Sequence, residues 1–168
     1  MDAPLILTLA LDPESQAFFN ALRKAHFPPE RNYLDAHVTL FHALPGAHLS
    51  EIADALAAVT SATSTLTLEV TVLRFLGRGV AYSLNSEKLN QLHSSLQDRW
   101  FNWLTPQDQQ KRAPHITVQN KVPPEEARKL KECLEADFSA FQITGKGLLL
   151  WAYLDGPWRL LASFPFSR

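Results

Sequence analysis

The chain has 168 residues and a mass of 18.9 kDa, the size of one domain that buries a substantial core. Its 46% hydrophobic and 20% charged residues exclude a disordered or linker-like chain. Lys and Arg (16) nearly balance Asp and Glu (17), and the net charge of -1 excludes a broad basic surface for long duplex nucleic acid.

Cysteine content and the length of apolar runs indicate the cellular location of the protein. Cys133 is the single cysteine, so no internal disulfide can form, and no Cys or Cys/His spacing matches a zinc site. No apolar run approaches the roughly 20 residues that cross a bilayer. We therefore expect a cytoplasmic protein without a membrane partner, metal or cofactor, and a monomer by default.

Capping and turn residues divide the first half of the chain. The apolar run 5–11 is flanked by acidic residues and lacks a preceding basic segment, so we interpret it as a strand rather than a signal peptide. Asp12 followed by Pro13 predicts the start of a helix. The elements predicted next are a helix at 13–26, a strand at 36–44, a helix at 50–59, and a hairpin of strands at 66–76 and 80–84.

The second half repeats this order. Ser86 caps a predicted helix, and Pro123 and Pro124 open another. Adding 78 to a residue number maps His37 onto His115. The elements predicted here are a helix at 86–103, a strand at 115–122, a helix at 123–134, and a hairpin of strands at 140–154 and 158–166.

The order α, β, α, β, β therefore occurs twice, with the strand at 5–11 as an extra element. Two repeats are too few for a solenoid. We predict one α+β domain over residues 1–168, built from approximate repeats 12–84 and 86–166. Its two similar lobes carry antiparallel sheets that face a central cleft, with helices outside.

The same tetrapeptide type, His-x-Thr-apolar, stands at equivalent points of the two halves. It is His37-Val38-Thr39-Leu40 in the first and His115-Ile116-Thr117-Val118 in the second. In a strand, residues i and i+2 share a face, so each segment presents its histidine and threonine together. A lone motif of this kind is usually structural, whereas its recurrence at matching positions indicates a shared site.

Two histidines that face one substrate can divide acid and base work between them. Imidazole titrates near ~6.5, so one ring can accept a proton while the other donates one. Threonine hydroxyls can donate hydrogen bonds to phosphoryl oxygens. We therefore predict metal-independent attack on a phosphodiester, with His37 and His115 as acid and base in either order and Thr39 and Thr117 as phosphate ligands.

The tetrapeptides and their spacing resemble those of the two-histidine (2H) phosphoesterase superfamily, in particular its 2'-5' RNA ligase and cyclic phosphodiesterase group. The strings PHITVQNKV, LGRGVAY and GLLLWAYLDGPW are similar to stretches of bacterial members, and the likeness covers nearly the whole chain. The resemblance implies a bilobal α+β fold, a metal-independent site with the same two histidines and two threonines, and opening of 2',3'-cyclic phosphates to 2'-phosphates. Some members also make or break 2'-5' linkages in RNA.

One departure from the family concerns a cation. Many relatives have a basic residue almost directly after the second motif, whereas Gln119 and Asn120 precede Lys121 here. Lys121 is an even number of positions from His115, so an unbroken strand places both on one face. Lys121 is therefore a candidate phosphate ligand, against the alternative of a solvated lysine at a strand end.

Aromatic residues near the motifs are candidate nucleobase contacts. Phe41 continues the motif face of its strand and could stack on a base. Trp151 and Tyr153 share a face of the penultimate strand, and Trp158 lies just across the turn. The alternative for each is packing in the core or at its rim.

Other polar residues have weaker claims to the site. Arg78, at a hairpin tip, and Arg112, shortly before the second motif, are candidate phosphate contacts, with an exposed arginine as the alternative. Asp35 shares a face with the first histidine and could orient it. His42 is predicted on the opposite face from that histidine, which argues against a shared metal.

The expected partner is a nucleotide or RNA terminus with a 2',3'-cyclic phosphate or a 2'-5' linkage. A second hypothesis is a non-catalytic nucleotide-binding or sensor module that uses the same cleft. A metallohydrolase built from the histidines and Asp35 is the least favoured of the three hypotheses.

Overall fold

The computed structural model describes residues 2–168, which form an α+β fold of seven strands and four helices. The fold class predicted from the sequence is confirmed. The strands are β1 (Leu5–Leu11), β2 (Val38–Leu44), β3 (Leu66–Phe75), β4 (Val80–Asn85), β5 (His115–Gln119), β6 (Phe141–Tyr153) and β7 (Trp158–Pro165). The helices are α1 (Pro13–His26), α2 (Leu49–Ser61), α3 (Glu87–Trp100) and α4 (Pro124–Ala136).

Side-chain caps start two of the helices at the predicted residues. The Asp12 carboxylate accepts a hydrogen bond from the Ser15 main-chain N–H at 3.1 Å and opens α1. The Ser86 hydroxyl accepts from the Leu89 N–H at 3.2 Å and opens α3. Each cap satisfies a main-chain donor that has no partner within the helix.

The seven strands of the described chain form one antiparallel sheet in the order β2-β1-β6-β3-β4-β5, with β7 also paired to β6. The long strand β6 belongs to two half-sheets. Its residues 141–145 pair with β3, and its later residues pair with both β1 and β7. One half-sheet therefore contains β2, β1, β6 and β7, and the other contains β5, β4, β3 and β6.

The sheet order has an internal symmetry. Exchanging β1 with β4, β2 with β5 and β3 with β6 gives the same order read from the other end. The units repeated in space are therefore β1-α1-β2-α2-β3 and β4-α3-β5-α4-β6, with β7 as the additional strand. This corrects the predicted repeat boundaries of 12–84 and 86–166, because the strand at 5–11 is the counterpart of β4. Element order alone could not reveal this, since strand pairing is a tertiary property.

Each helix that precedes a motif strand packs on the opposite half-sheet. Phe19 of α1 makes an edge contact with Tyr82 of β4, with ring centroids 5.5 Å apart. Trp100 of α3 makes the same kind of contact with Phe41 of β2, also at 5.5 Å. Each of these two helices therefore packs on the half-sheet of the other unit, which links the two half-sheets. Among residues 2–168, we find no helix with the length and apolar character needed to cross a membrane.

The two end strands of the sheet, β2 and β5, approach each other although they do not pair. Their Cα atoms come within 8 Å of one another. The loop that precedes β5 extends to β2 and forms hydrogen bonds with it. The strands that carry the two motifs therefore lie close together, and we refer to the region between them as the cleft.

Candidate active site

The two motif histidines lie at the start of the two motif strands. His37 immediately precedes β2, and His115 is the first residue of β5. Val38 and Ile116, their neighbours in sequence, are fully buried, while both imidazoles and both motif threonines are half-buried. Charge on His115 is one of the smaller contributions to the lowered pKa of His37.

Both imidazoles are held by the same main-chain contact. Nδ1 of His37 lies 2.8 Å from the carbonyl oxygen of Asp35, and Nδ1 of His115 lies 3.0 Å from that of Ala113. Each carbonyl belongs to the residue two positions earlier, and a carbonyl can only accept. We therefore assign a proton to each Nδ1; for His115 the 3.0 Å carbonyl contact is shorter than the 3.2 Å contact of Nδ1 with Arg74 and decides the tautomer. Each Nε2 is then free for proton transfer. The contact from Asp35 comes from its main chain, whereas the sequence pointed to its carboxylate.

The environment of both histidines favours the neutral imidazole. Burial, with smaller contributions from the charges of Arg23, His42 and His115, lowers the pKa of His37 to about 4. Burial, with the charges of nearby arginines, also lowers the pKa of His115 below its usual 6.5. Both rings are therefore neutral near pH 7 in the absence of an anion.

A β-bulge occurs at the same place in both motif strands. Thr39 and Phe41 pair with consecutive residues of β1, so β2 has one extra residue between them. Thr117 and Gln119 pair with consecutive residues of β4, so β5 has the equivalent extra residue. A bulge interrupts the alternation of side chains, so the face that each motif presents ends at its threonine.

This bulge overturns two predictions based on strict alternation. Phe41 is 0% exposed and packs against the His93 ring at 4.8 Å and against Trp100, so it is a core residue rather than a nucleobase contact. His42 follows the bulge, so the alternation that placed it on the face opposite His37 does not hold, and its side chain is 37% exposed and contacts Arg112.

An arginine missed in the sequence lies against the second histidine. Arg74 of β3 places Nη1 3.2 Å from Nδ1 of His115 and donates to the Ala113 carbonyl at 3.2 Å. Arg74 and the motif strand are separated by β4, and Arg74 pairs with Ala81, which in turn pairs with Thr117. The signal in the sequence was a cationic residue in an otherwise apolar stretch of strand.

Two further arginines hold the main chain of the motif threonines. Arg112 donates from Nη2 to the Thr39 carbonyl at 3.4 Å, and Arg23 donates from Nη1 to the Thr117 carbonyl at 3.0 Å. Arg112 therefore contacts the site through the opposite strand, which was not predicted. These two bonds hold β2 to the loop before β5 and hold β5 to α1.

Asp108 is the buried carboxylate of the site and was also missed. It is 0% exposed and accepts hydrogen bonds from the main-chain N–H groups of His42 and Ala43 at 2.8 to 3.0 Å. Because Asp108 lies in the loop before β5 and its partners lie in β2, it ties the two motif strands together. A lone aspartate in a polar loop gives no sequence signal for this role.

An aromatic pocket adjoins the first histidine. Trp158 lies 4.8 Å from the His37 ring and 5.9 Å from Trp151, measured between ring centroids. Trp151 is held by a bond from its Nε1 to the hydroxyl of Thr8 at 2.9 Å. The pocket has a volume of about 250 Å³. Its aromatic and aliphatic lining includes Tyr33, Leu149, Trp151 and Trp158 beside His37.

The other predicted contacts lie at the rim or away from the motifs. β5 ends at Gln119 and Lys121 has a φ of 66°, so the unbroken strand that placed Lys121 on the face of His115 does not exist. Arg78 donates to the Val122 carbonyl at 3.2 Å and so holds the loop after β5. Tyr153 is 38% exposed and is not part of the aromatic pocket.

The comparison with known families agrees with this geometry. A family model for the 2'-5' RNA ligase superfamily matches residues 11–157. The chain belongs to the 2'-5' RNA ligase superfamily. This places it among the 2H phosphoesterases, as the motifs indicated. No curated protein has significant sequence similarity to the chain.

Several solved structures share the fold of this superfamily member at low sequence identity. The protein TT0787 of Thermus thermophilus superposes with a TM-score of 0.70 at 14% identity, over 97% of both chains. A phosphoesterase superposes at 0.63 with 18% identity, and E. coli LigT complexed with 3'-AMP at 0.62 with 19% identity, each over 100% of both chains. The family match and these neighbours support an enzyme of the 2H phosphoesterase type.

Among residues 2–168, no three or more His, Cys, Asp or Glu side chains are grouped so that they could hold a metal ion. The two motifs instead supply two imidazoles and two threonine hydroxyls, and Arg74 lies against the second imidazole. These groups can transfer protons and can bind the oxygens of an anion.

Proposed function

We propose that the protein is a metal-independent phosphoesterase that opens 2',3'-cyclic phosphates of nucleotides or RNA ends to 2'-phosphates. One observation carries the proposal: both motif histidines bond through Nδ1 to the carbonyl two residues earlier, on strands that lie close together. The free Nε2 atoms of the two rings are then available to one substrate. Such a matched pair is what general acid and base catalysis at a single phosphorus needs.

The proposed reaction transfers two protons. His37 Nε2 removes a proton from water as the water oxygen forms a bond to phosphorus. The bond from phosphorus to O3' breaks, and O3' takes a proton from His115 Nε2. The products are a 2'-phosphate and a free 3'-hydroxyl, and the proton gained by His37 returns to His115 through solvent.

The pKa values support this division of roles. The base must be neutral when the substrate arrives, and the pKa of His37, lowered to about 4, meets that requirement over a wide pH range. The acid must be protonated. The pKa of His115 is also lowered, but an anionic phosphate beside it opposes this shift, because a negative charge favours the imidazolium form.

The phosphate oxygens and the nucleobase have separate sites in this proposal. Thr39 and Thr117 donate to the non-bridging oxygens, and the Arg74 guanidinium stabilises the charge that builds up on them. Trp158 and Trp151 form a stacking surface for the base in the aromatic pocket. Structures of E. coli LigT complexed with 3'-AMP and with NADP+ support a nucleotide as ligand.

The same catalytic groups also suit reactions at 2'-5' linkages in RNA. When the 3'-hydroxyl of a 2'-5' linked nucleotide replaces water as the nucleophile, the linkage breaks to a 2',3'-cyclic phosphate and a 5'-hydroxyl, and the reverse step is ligation. The single cysteine supports a cytoplasmic location for the protein. Because the described chain supplies every group named above, a monomer is sufficient for the reaction.

The test is hydrolysis of a panel of 2',3'-cyclic nucleotides, with the position of the phosphate in the product assigned by NMR. We expect a 2'-phosphate, no inhibition by a chelator, and a loss of about 100- to 10,000-fold in kcat for His37→Ala and for His115→Ala. His26→Ala, at the end of α1 and outside the cleft, is the matched control.

Three outcomes would contradict the proposal. Full activity in both motif variants removes the catalytic role of the histidines. Nucleotide-induced stabilisation without any product, retained in both variants, indicates a binding module. Inhibition by a chelator that added zinc reverses indicates a metallohydrolase.

A further inference from the structure

The cleft has a cationic end opposite its aromatic pocket. We use this name for the group formed by Arg74, Arg112 and His42. Arg74 contacts His115 and the Ala113 carbonyl, at the start of β5. Arg112 places Nη1 3.3 Å from Nδ1 of His42, towards the end of β2.

The two ends lie at opposite ends of β2. The aromatic pocket is lined by residues 33–37, just before β2 begins. His42 lies beyond the bulge, about 13 Å from His37 along the strand at roughly 3.3 Å per paired position. The reacting phosphate, held between the two motif histidines, therefore has the aromatic pocket on one side and the cationic end on the other.

The guanidinium groups of the cationic end form no salt bridge. In the described part of the chain, neither Arg74 nor Arg112 has a carboxylate oxygen within 4.0 Å. Asp108 supplies a counter-charge: it acts to raise the pKa of Arg112, and its Oδ1 lies 3.7 Å from Nδ1 of His42. Its hydrogen bonds, however, come from the main-chain N–H groups of His42 and Ala43. Nε of Arg112 is buried and has no hydrogen-bond partner. Two half-buried arginines and one buried carboxylate leave a net positive charge here, which favours an anion in the cleft.

His42 adds a hydrogen-bond donor to this pair of cations. Nδ1 of His42 lies 3.3 Å from Nη1 of Arg112 and 3.7 Å from Oδ1 of Asp108. The shorter contact is with a group that can only donate, so we assign Nδ1 as the acceptor and Nε2 as the nitrogen that carries the ring proton. The side chain of His42 is 37% exposed, so this donor is accessible. Guanidinium and imidazole N–H groups together are well suited to phosphate oxygens.

We propose that Arg112 and His42 of the cationic end bind a second phosphate group of the substrate, on the far side of the reacting phosphorus from the nucleobase, while Arg74 serves the reacting phosphate. The preferred substrate class is then an oligonucleotide whose chain continues past the reacting phosphate, rather than a mononucleotide. A 2'-5' linked dinucleotide with a terminal 3'-phosphate is the smallest member of this class. The inference rests on the proposed function for the location of the reacting phosphate.

The test compares two ligands that differ by one phosphate. The dissociation constants of 2'-5' linked ApA and of its 3'-phosphorylated form ApAp are measured by calorimetry in His37→Ala, which prevents turnover. We expect ApAp to bind ~10-fold more tightly at low salt, and the ratio to shrink at high salt because the added contact is electrostatic. Equal affinities at low salt would overturn the inference.

Variants assign the effect to the cationic end. In the same background, Arg112→Gln and His42→Gln should each bring the affinity ratio of ApAp to ApA towards one. Arg99→Gln removes an exposed arginine from α3 and should leave the ratio unchanged. Thermal unfolding checks that each variant is folded, and His42→Gln carries the test if Arg112→Gln is not. A ratio that stays near ten-fold in the folded cleft variants also overturns the inference.

Turnover by the unsubstituted protein separates this inference from the proposed function. If the protein hydrolyses adenosine 2',3'-cyclic phosphate but binds ApA and ApAp equally, only the second phosphate site is overturned. If no cyclic phosphate is hydrolysed but ApAp binds more tightly through Arg112 and His42, the phosphate site is supported and the proposed reaction is overturned.

Discussion

Nη1 of Arg74 lies 3.2 Å from Nδ1 of His115, and both groups donate to the same main-chain carbonyl, that of Ala113. The guanidinium charge therefore lies beside an imidazole that cannot accept a hydrogen bond from it. This arrangement disfavours the imidazolium form of His115 until an anion binds. Arg74 consequently affects both the pKa of the proposed acid and the charge of the bound phosphate.

Replacing Arg74 should change both activity and its pH dependence. We expect Arg74→Gln to lower kcat/KM by about 10- to 100-fold, because a cation near the developing charge is lost. The alkaline limb of the pH profile should move to higher pH, because one of the charges that lowers the pKa of His115 has been removed. Steady-state kinetics from pH 4 to 9 measures both effects, with Arg99→Gln as the control. An unchanged alkaline limb would show that Arg74 does not influence the acid.

The unsubstituted protein should have a bell-shaped pH profile centred on mildly acidic pH. The base must be neutral, so kcat/KM falls below the His37 pKa of about 4. The acid must be protonated, so kcat/KM also falls above the pKa of His115, which lies below 6.5 in the free protein. The alkaline limb of kcat should lie at higher pH than that of kcat/KM, since bound phosphate favours protonated His115. An optimum of kcat/KM above pH 8 contradicts these roles.

Removing the aromatic wall of the pocket should weaken binding more than chemistry. Trp158→Ala should raise KM about 10-fold, because stacking on an aromatic side chain contributes ~1 to 3 kcal/mol per base. We expect kcat to change little and Trp158→Phe to restore most of the affinity. Phe101→Ala, which removes an exposed aromatic residue outside the pocket, is the control. A substrate without a base, such as ribose 2',3'-cyclic phosphate, should be insensitive to all three changes.

Asp108 should stabilise the fold in a pH-dependent way. Burial alone raises the pKa of Asp108, but hydrogen bonds from His42 and Ala43 outweigh it and lower the pKa below 3.8. The stabilisation is therefore present above pH 4 and is lost as the pH falls through the lowered value. Asp108→Asn should reduce the free energy of unfolding by ~1 to 3 kcal/mol at pH 7, and by less at pH 3.

Urea denaturation at the two pH values measures this difference. Asp54→Asn changes an exposed aspartate of α2 and should have almost no effect. Equal losses for Asp108→Asn at both pH values would mean that the stabilisation does not come from the ionised carboxylate.

The sequence predicted the fold class and the positions of the elements well, because these depend on local patterns. Asp12 and Ser86 cap the helices as expected, and the helix and strand bounds agree within a few residues. The strand order was beyond reach, since pairing joins residues far apart in the chain. Thus the strand at 5–11 was taken as an extra element, although it is the partner of β2 and the counterpart of β4.

The errors at the site have one common cause. The predictions assumed that side chains alternate between the two faces of β2 beyond Thr39. One extra residue in β2 instead places Phe41 in the core and His42 at the cleft. Alternation also fails for Lys121, because β5 ends at Gln119 and Lys121 lies outside the strand. A bulge depends on how a strand pairs with its neighbour, so a pattern along one strand does not reveal it.

The sequence by itself determined the chemistry that is available: two His-x-Thr segments that recur 78 residues apart, in strands whose apolar residues commit them to a core. The tertiary structure decided which groups surround those histidines. Arg74 reaches the site from β3, two strands away from β5 in the sheet, and Asp108 and Arg112 reach it from a loop of the opposite unit. Backbone propensity and periodicity act over a few residues, whereas the electrostatic environment of an imidazole is set by whichever chain segments pack around it.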